Sequence, residues 1–287
     1  MTKTFILGIG APKAGTTWLH AYLKSVNGFA HGLQKEMHIW DAVYIPECRR
    51  YLVPRSGPVL QVKALLRREM QQDPEAYFAY IDELLSLEGA THAADITPSY
   101  AGLSGGQLRF IWNGLTARAI DTKIVFLMRD PVERCLSMLR MFRRFSLREV
   151  NHYLDFTKPD DQILMDYAQS ENARVRTNYH RTMVALADSG IPSSQIYTGL
   201  YEEMFAHSQL ETLSAFLGVP FRPEASSQKI NAGDQKDPIS DATRAQVVEH
   251  FRDVYEEMSA FLPATRTVWS GHKYLNGCQS TSNSHKK

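Results

Sequence analysis

The stretch Phe5-Ile-Leu-Gly-Ile-Gly10-Ala-Pro-Lys-Ala-Gly15-Thr-Thr-Trp-Leu19 passes from an apolar run through a loop with two glycines into a helical pattern. Phe5 to Ile9 reads as a short buried strand, interrupted by the glycine and proline that follow. From Thr16 onward Trp18, Leu19, Tyr22, Leu23 and Val26 recur at helical spacing, and Asn27-Gly28 supplies the stop. Strand, glycine loop and helix in this order make the first half of a βαβ unit, which predicts an α/β fold with a parallel sheet. A loop at such a joint can turn backbone N–H groups and the positive end of the helix toward a phosphate.

Working outward, Lys123-Ile-Val-Phe-Leu-Met128 is a continuous apolar run of the kind that a parallel sheet buries on both faces. Asp130-Pro131 then opens a helix through roughly Arg144, as Asp73-Pro74 opens one to about Leu87. Strands are expected at Thr91–Ile96 and Ile196–Gly199, and helices over 104–119, 171–188, 208–217 and 240–262. Residues 30–70 read as irregular, and 146–170 as an excursion over the surface that could serve as a lid. With no internal repeat or composition break, the expectation is a single P-loop-like α/β domain over 1–265, its central parallel sheet flanked by helices. A C-terminal extension, 266–287, follows, with a flexible composition at its end.

The chain has 287 residues, and its 32 Lys+Arg against 31 Asp+Glu leave a net charge of +1, which argues against a nucleic-acid partner. The 44% hydrophobic content is that of a globular chain, not of a disordered one. Cys48, Cys135 and Cys278 are odd in number and far apart, so neither a disulfide framework nor a zinc site is expected. The apolar run at the N-terminus is too short for a signal peptide, and nothing approaches the ~20 apolar residues of a transmembrane segment. These features predict a cytoplasmic protein.

The Gly10–Gly15 spacing is close to the nucleotide-kinase pattern GxxxxGK[ST], but Thr16 stands where that pattern has lysine. The lysine lies three places back, at Lys13, which moves the cation from the outer phosphates toward the atom bridging the 5′-phosphate to a transferred group. Pro12-Lys-Ala-Gly-Thr-Thr-Trp-Leu19 resembles the 5′-phosphosulfate loop of sulfotransferases that use 3′-phosphoadenosine-5′-phosphosulfate (PAPS). That family has a second signature, an Arg and a Ser eight residues apart after a later core strand. Arg129-Asp-Pro-Val-Glu-Arg-Cys-Leu-Ser137 matches it. Lys35-Glu-Met-His-Ile-Trp-Asp41 and Asp95-Ile-Thr-Pro-Ser-Tyr100 are similar to segments of the heparan-sulfate-type branch and its bacterial relatives. The resemblance carries good motifs over about 4–140 and fades beyond.

The resemblance implies PAPS as donor, PAP as product and no metal requirement. It places the 5′-phosphate on Lys13, Ala14, Gly15, Thr16 and Thr17, with Trp18 closing the loop, and the 3′-phosphate on Arg129 and Ser137. Lys229 and Gly233, in the degenerate stretch 228–236, stand where the family has a second loop for the nucleotide. Lys13 would stabilise the departing oxygen. By resemblance Glu36 is the catalytic base, helped by a carboxyl raised through burial, with His38 as rival base and Asp41 in support. In a strand Glu36 and His38 would share a face.

Tyr100 and Asp41 are candidates for acceptor contact. Ile96 replaces a lysine of the heparan-type enzymes. With the balanced charge, this favours a small or weakly charged hydroxyl acceptor: a small molecule, a saccharide or a lipid head group. A P-loop kinase and a non-catalytic nucleotide-binding protein are the alternatives.

Overall fold

The computed structural model describes residues 2–54, 61–144, 154–227 and 239–275. Four parallel strands form one sheet in the order β2-β1-β3-β4. They are β1 (Thr4–Gly10), β2 (His92–Ile96), β3 (Asp121–Met128) and β4 (Ile196–Leu200). Every residue of β1 is buried, as its near-continuous apolar sequence requires of a central strand. The sheet order reverses between β1 and β3, the position at which open parallel α/β sheets bind ligands. The glycine loop occupies that position.

The described chain divides into two compact units, Met1–Met128 with Arg181–Asn231, and Arg129–His180 with Ala232–Lys287. The first unit holds the sheet. Helix α1 (Thr16–Lys24) follows the loop, and the short α2 (Trp40–Tyr44) leads into a 3-10 turn at Pro46–Tyr51. Next come α3 (Val62–Gln72) and α4 (Pro74–Leu85); the Asp73 carboxylate accepts from the Glu75 amide and caps the second of these. A reciprocal Ser104–Gln107 capping box starts α5 (Gly105–Thr116). Helix α4 packs on β2 and α5 on β3.

The region 30–70, expected to be irregular, thus contains α3. Its Val62, Leu65 and Leu66 are exposed and only Met70 is buried, so no core-facing stripe announces the helix. Its Ala, Leu, Arg, Glu, Met and Gln residues supply intrinsic helix propensity instead.

The second unit is helical. It contains α6 (Pro131–Arg144), α7 (Asp160–Ala168) and α8 (Glu171–Thr177). The expected helix over 171–188 breaks at Asn178, and α9 (Tyr179–Asp188) resumes from there back into the first unit. Helix α10 (His207–Leu217) belongs to the first unit. The expected helix over 240–262 likewise divides into α11 (Asp241–His250) and α12 (Arg252–Phe261), with fully buried Phe251 at the turn. Short helices α13 (Thr265–Val268) and α14 (His272–Leu275) end the described chain.

The expected surface excursion at 146–170 is corrected for its second half. There α7 buries Ile163, Leu164 and Tyr167, while 146–153 lie outside the described residues. The flexible end foreseen for the C-terminal extension falls on 276–287, also outside them, as does Cys278. Cys48 and Cys135 are buried. Among the described residues no helix is long and apolar enough to cross a membrane.

Candidate active site

The loop after β1 is anchored to the neighbouring strand, because the Ala11 amide donates to the Leu127 carbonyl at 2.5 Å. The Ala14 amide donates back to the Ala11 carbonyl at 3.2 Å and closes a tight turn. Lys13 (φ 71°) and Gly15 (φ 93°) both adopt left-handed backbone. For a lysine that conformation is strained, and such residues concentrate at ligand-binding turns. Gly15 is the N-cap of α1 and provides no side-chain cap, so the first-turn N–H groups remain for a ligand. A Cβ at Gly15 would stand 2.6 Å from Met204 Sδ, and the backbone there already disfavours L-residues. Gly15→Ala is therefore expected to cost about 1–3 kcal/mol of stability and to weaken nucleotide binding, measured by urea unfolding and calorimetry.

The Trp18 indole is buried, stacked on Tyr22 at 5.1 Å and edge-on to Phe205, with its N–H donating to the Ala225 carbonyl at 3.4 Å. It underpins the helix start from the core side.

Residues 29–35 run along the outer edge of β2. Phe29 bridges His92 in parallel, the Ala30 amide donates to the His92 carbonyl at 2.7 Å, and the Ile96 amide donates to the Lys35 carbonyl at 2.9 Å. This edge pairing delivers the 35–41 segment to the C-terminal end of the sheet. The segment is irregular, as expected for 30–70, and is not a strand that would put Glu36 and His38 on one face: His38 has φ 53° and no ladder includes it. Glu36 and His38 meet because the chain turns. His38 Nε2 lies 3.4 Å from Glu36 Oε2, and His38 Nδ1 lies 2.7 Å from Asp41 Oδ2.

Asp41 is fully buried and also accepts from the Ser99 hydroxyl and from the Ala42 amide at 2.9 Å. The Tyr51 ring stacks on the imidazole with 3.7 Å between centroids, and Gln71 donates to the His38 carbonyl at 2.7 Å. Lys35 Nζ sits 2.8 Å from Glu36 Oε1 and 3.3 Å and 3.5 Å from the Thr17 and Thr16 hydroxyls. One ammonium thus joins the glycine loop to the acidic segment.

This array sets its own protonation. Burial pushes the Glu36 carboxyl upward, but hydrogen bonds from His38 and Lys35 and their charges outweigh it, leaving the pKa at about 2. The raised carboxyl expected from sequence is corrected accordingly. Burial opposes charge on His38 as well, yet the bonds to Asp41 and Glu36 lift its pKa to about 9. At neutral pH Glu36 is a carboxylate and His38 an imidazolium.

Behind it stands Asp95, at the end of β2 and fully buried. Its carboxylate accepts from the Met37 amide (3.2 Å) and from the hydroxyls of Thr97 (2.6 Å), Tyr100 (2.8 Å) and Tyr77 (3.3 Å). The Tyr100 hydroxyl in turn accepts from the Ile39 amide at 3.2 Å. Burial raises the Asp95 pKa to about 6 against these donors. Tyr100 is wholly buried, so the expectation that it faces an acceptor is corrected: its ring is core and its hydroxyl a strut. Asp41, equally buried, touches His38 and Ser99 and has no exposed surface for an acceptor. Ile96 is buried too, against Gly8, where a Cβ would stand 2.8 Å from its side chain. It does not face the site, and the inference about acceptor charge drawn from it falls.

In the second unit Arg129 follows β3 directly, and its guanidinium lies 3.7 Å from Glu133. Arg129, Glu133 and Ser137 succeed one another at four-residue steps, which aligns Glu133 and Ser137 on one face of α6. Asp130 is buried. It accepts from the Val132 amide (3.0 Å), the Tyr255 hydroxyl (2.6 Å), the Ser270 hydroxyl (3.1 Å) and the Gly271 amide (2.7 Å), tying the start of α6 to the last described helices. Lys229 and Gly233 lie outside the described residues.

Sequence reasoning missed Asp95, Ser99, Tyr51 and the bridging role of Lys35. Asp95 and Lys35 stood inside quoted motifs, whereas nothing in the sequence signals Tyr51. Among the described residues no group of three or more His, Cys, Asp or Glu is placed to hold a metal ion.

The strand–loop–helix joint with this charged segment beside it is a candidate site for an anionic group. A family model described as the sulfotransferase domain matches residues 2–237, and the chain belongs to that family. The crystal structure of a sulfotransferase from Alicyclobacillus acidocaldarius is similar at 19% identity and a TM-score of 0.53, covering 91% of this chain and 96% of that one. The sulfotransferase domain of the Synechococcus PCC 7002 olefin synthase is similar at 17% identity and a TM-score of 0.46, covering 91% and 94%. No curated protein matches the sequence.

Proposed function

We propose that the protein moves a sulfuryl group from PAPS to the hydroxyl of a small molecule, saccharide or lipid head group, in the cytoplasm. The observation that carries this reading is Lys35, whose ammonium contacts both threonine hydroxyls of the loop and the Glu36 carboxylate. This contact supports a reading in which the group on the loop and the hydroxyl to be activated lie side by side, as in-line transfer demands.

In this reading Lys13, Ala14, Gly15, Thr16 and Thr17 hold the 5′-phosphosulfate. Arg129 and Ser137, with Lys229 and Gly233 of the late loop, take the nucleotide end. As the acceptor oxygen bonds to sulfur, the bond from sulfur to the 5′-phosphate oxygen breaks, and Lys13 meets the charge left on that oxygen. The acceptor proton passes to Glu36. An alcohol oxygen that is bonding to sulfur becomes strongly acidic, so a carboxylate with a low pKa can still accept its proton late in the step. His38, an imidazolium at neutral pH, has no free lone pair to serve as base; it orients Glu36. The sulfotransferase domain is assigned to 1–265.

Calorimetric titration with 3′,5′-ADP in EDTA, and transfer of labelled sulfate from PAPS across an acceptor panel, test the reading. Tight binding without Mg²⁺ is expected. A protein that binds Mg-ATP and ignores 3′,5′-ADP would refute it. Arg129→Ala is expected to weaken 3′,5′-ADP binding by about 1.5–3 kcal/mol, the value of a charged hydrogen bond, with a smaller effect on turnover.

The His38 pKa is raised from 6.5 to about 9, so the stability it contributes is complete below pH 6.5 and disappears as pH climbs through 9. Melting temperature should therefore fall more steeply between pH 7 and 9.5 in the wild type than in His38→Gln. Matching slopes would show that the imidazolium is not held.

A further inference from the structure

Beside the Lys35–Glu36 pair the first unit has a second basic feature. A cavity of about 200 Å³ opens between α1 and the segment along β2, lined by His20, Lys24, Phe29, His31, Gln34 and Lys35. Four of these six are basic, and among the described residues its lining includes no carboxylate. Phe29 stands edge-on to both imidazoles, with centroids 6.2 Å from His20 and 5.4 Å from His31, and spaces them across the cavity. The field inside is positive. Burial, then the charges of Lys35, Lys24 and His31, drive the His20 pKa down to about 4, with Glu36 the opposing influence. At neutral pH His20 is a neutral imidazole facing two ammonium groups.

We propose that this cavity binds an anionic substituent of the acceptor, a carboxylate or sulfate group, while the acceptor hydroxyl lies at Glu36. Three arguments support the assignment. A neutral ligand filling the cavity would strip water from Lys24 and return nothing, whereas an anion compensates it and adds to the Lys35–Glu36 pair. The volume, roughly six or seven waters at about 30 Å³ each, suits a substituent and is too small for a whole drug-sized ligand. Lys35 borders both the cavity and Glu36, so an acceptor anchored in the first presents its neighbouring atoms to the second. The acceptor class is thus a hydroxylated compound that already carries negative charge. The assignment of the anion to an acceptor rests on the sulfotransferase reading; the anion site itself does not.

The test follows the His20 imidazole by NMR at pH 5.5, in protein saturated with 3′,5′-ADP so that the donor side is occupied. His20→Gln assigns the resonance. Sodium sulfate is expected to move it toward the protonated position and to saturate, while sodium chloride at equal ionic strength does not. Lys24→Ala should weaken the sulfate titration about three- to tenfold and leave 3′,5′-ADP binding within twofold. D-glucuronate should compete with sulfate where D-glucose does not. An equal response to chloride, an unchanged titration in Lys24→Ala, or loss of the sulfate response when 3′,5′-ADP binds would overturn the site. Equal failure of both sugars to compete would overturn its assignment to the acceptor. If 3′,5′-ADP itself does not bind, the donor reading fails, and the same titration in nucleotide-free protein still judges the cavity.

Discussion

Glu36→Gln is expected to lower turnover by about 10²- to 10⁴-fold, the range for losing a positioned general base. The affinity for 3′,5′-ADP should stay within about twofold. The amide keeps the size of the carboxylate and can still accept from Lys35, so the loop contact at Thr16 and Thr17 survives. What disappears is the negative charge between two cations. The proton of the acceptor hydroxyl then has no destination on Glu36, and His38 cannot substitute while Asp41 keeps it protonated. The His38 pKa should also fall, because one of the carboxylates that raises it is gone. Single-turnover transfer of labelled sulfate, with a parallel histidine titration by NMR, reads both effects. Turnover within threefold of wild type, at unchanged folding, would remove Glu36 from the chemistry.

The second large effect is expected on stability. Asp95→Ala leaves the Met37 amide and the hydroxyls of Thr97, Tyr77 and Tyr100 without their acceptor in a dry interior. Each stranded donor costs about 1–3 kcal/mol, and since hydroxyls can rotate toward other acceptors the total is expected near 3–5 kcal/mol. Asp95→Asn retains one acceptor oxygen and should cost less. Its pH dependence carries a sign. The Asp95 pKa is raised from 3.8 to about 6, so the stability held by this group is complete below pH 3.8 and lost as pH rises through 6. Asn has no such dependence, and its penalty should shrink between pH 4.5 and 7.5. Urea midpoints across that range measure it. A penalty that grows with pH would mean that the carboxyl is held ionised.

The Asp95 network also explains what was legible beforehand. The β1–loop–α1 joint, the core strand β3, the Asp73 cap and the helix opened by Asp130-Pro131 depend on residues close in sequence, and their chemistry is visible at short range. Helices α3 and α7 were missed for a different reason. One has apolar side chains that face solvent, and the other carries its burial pattern on a short polar-flanked segment. The site was half legible. Its motifs supplied Lys13, Glu36, His38 and Arg129, but not the direction in which Ile96, Tyr100 or Asp41 point.

The amino-acid sequence by itself determined the parallel α/β class, the strand–glycine loop–helix joint and the family's set of charged residues. Glycines, prolines and periodicity act within a few residues, and motif chemistry is a matter of residue type. Only the tertiary structure decided how those charges are tuned. The ionised state of Glu36 and the proton on His38 depend on Lys35 and Asp41 being folded onto them at 2.8 Å and 2.7 Å. The basic cavity exists because edge pairing along β2 lays His31 and Lys35 opposite His20 and Lys24 of α1. Charge interactions in a partly buried site fall off over ångströms, and such separations are set by the fold, not by spacing along the chain.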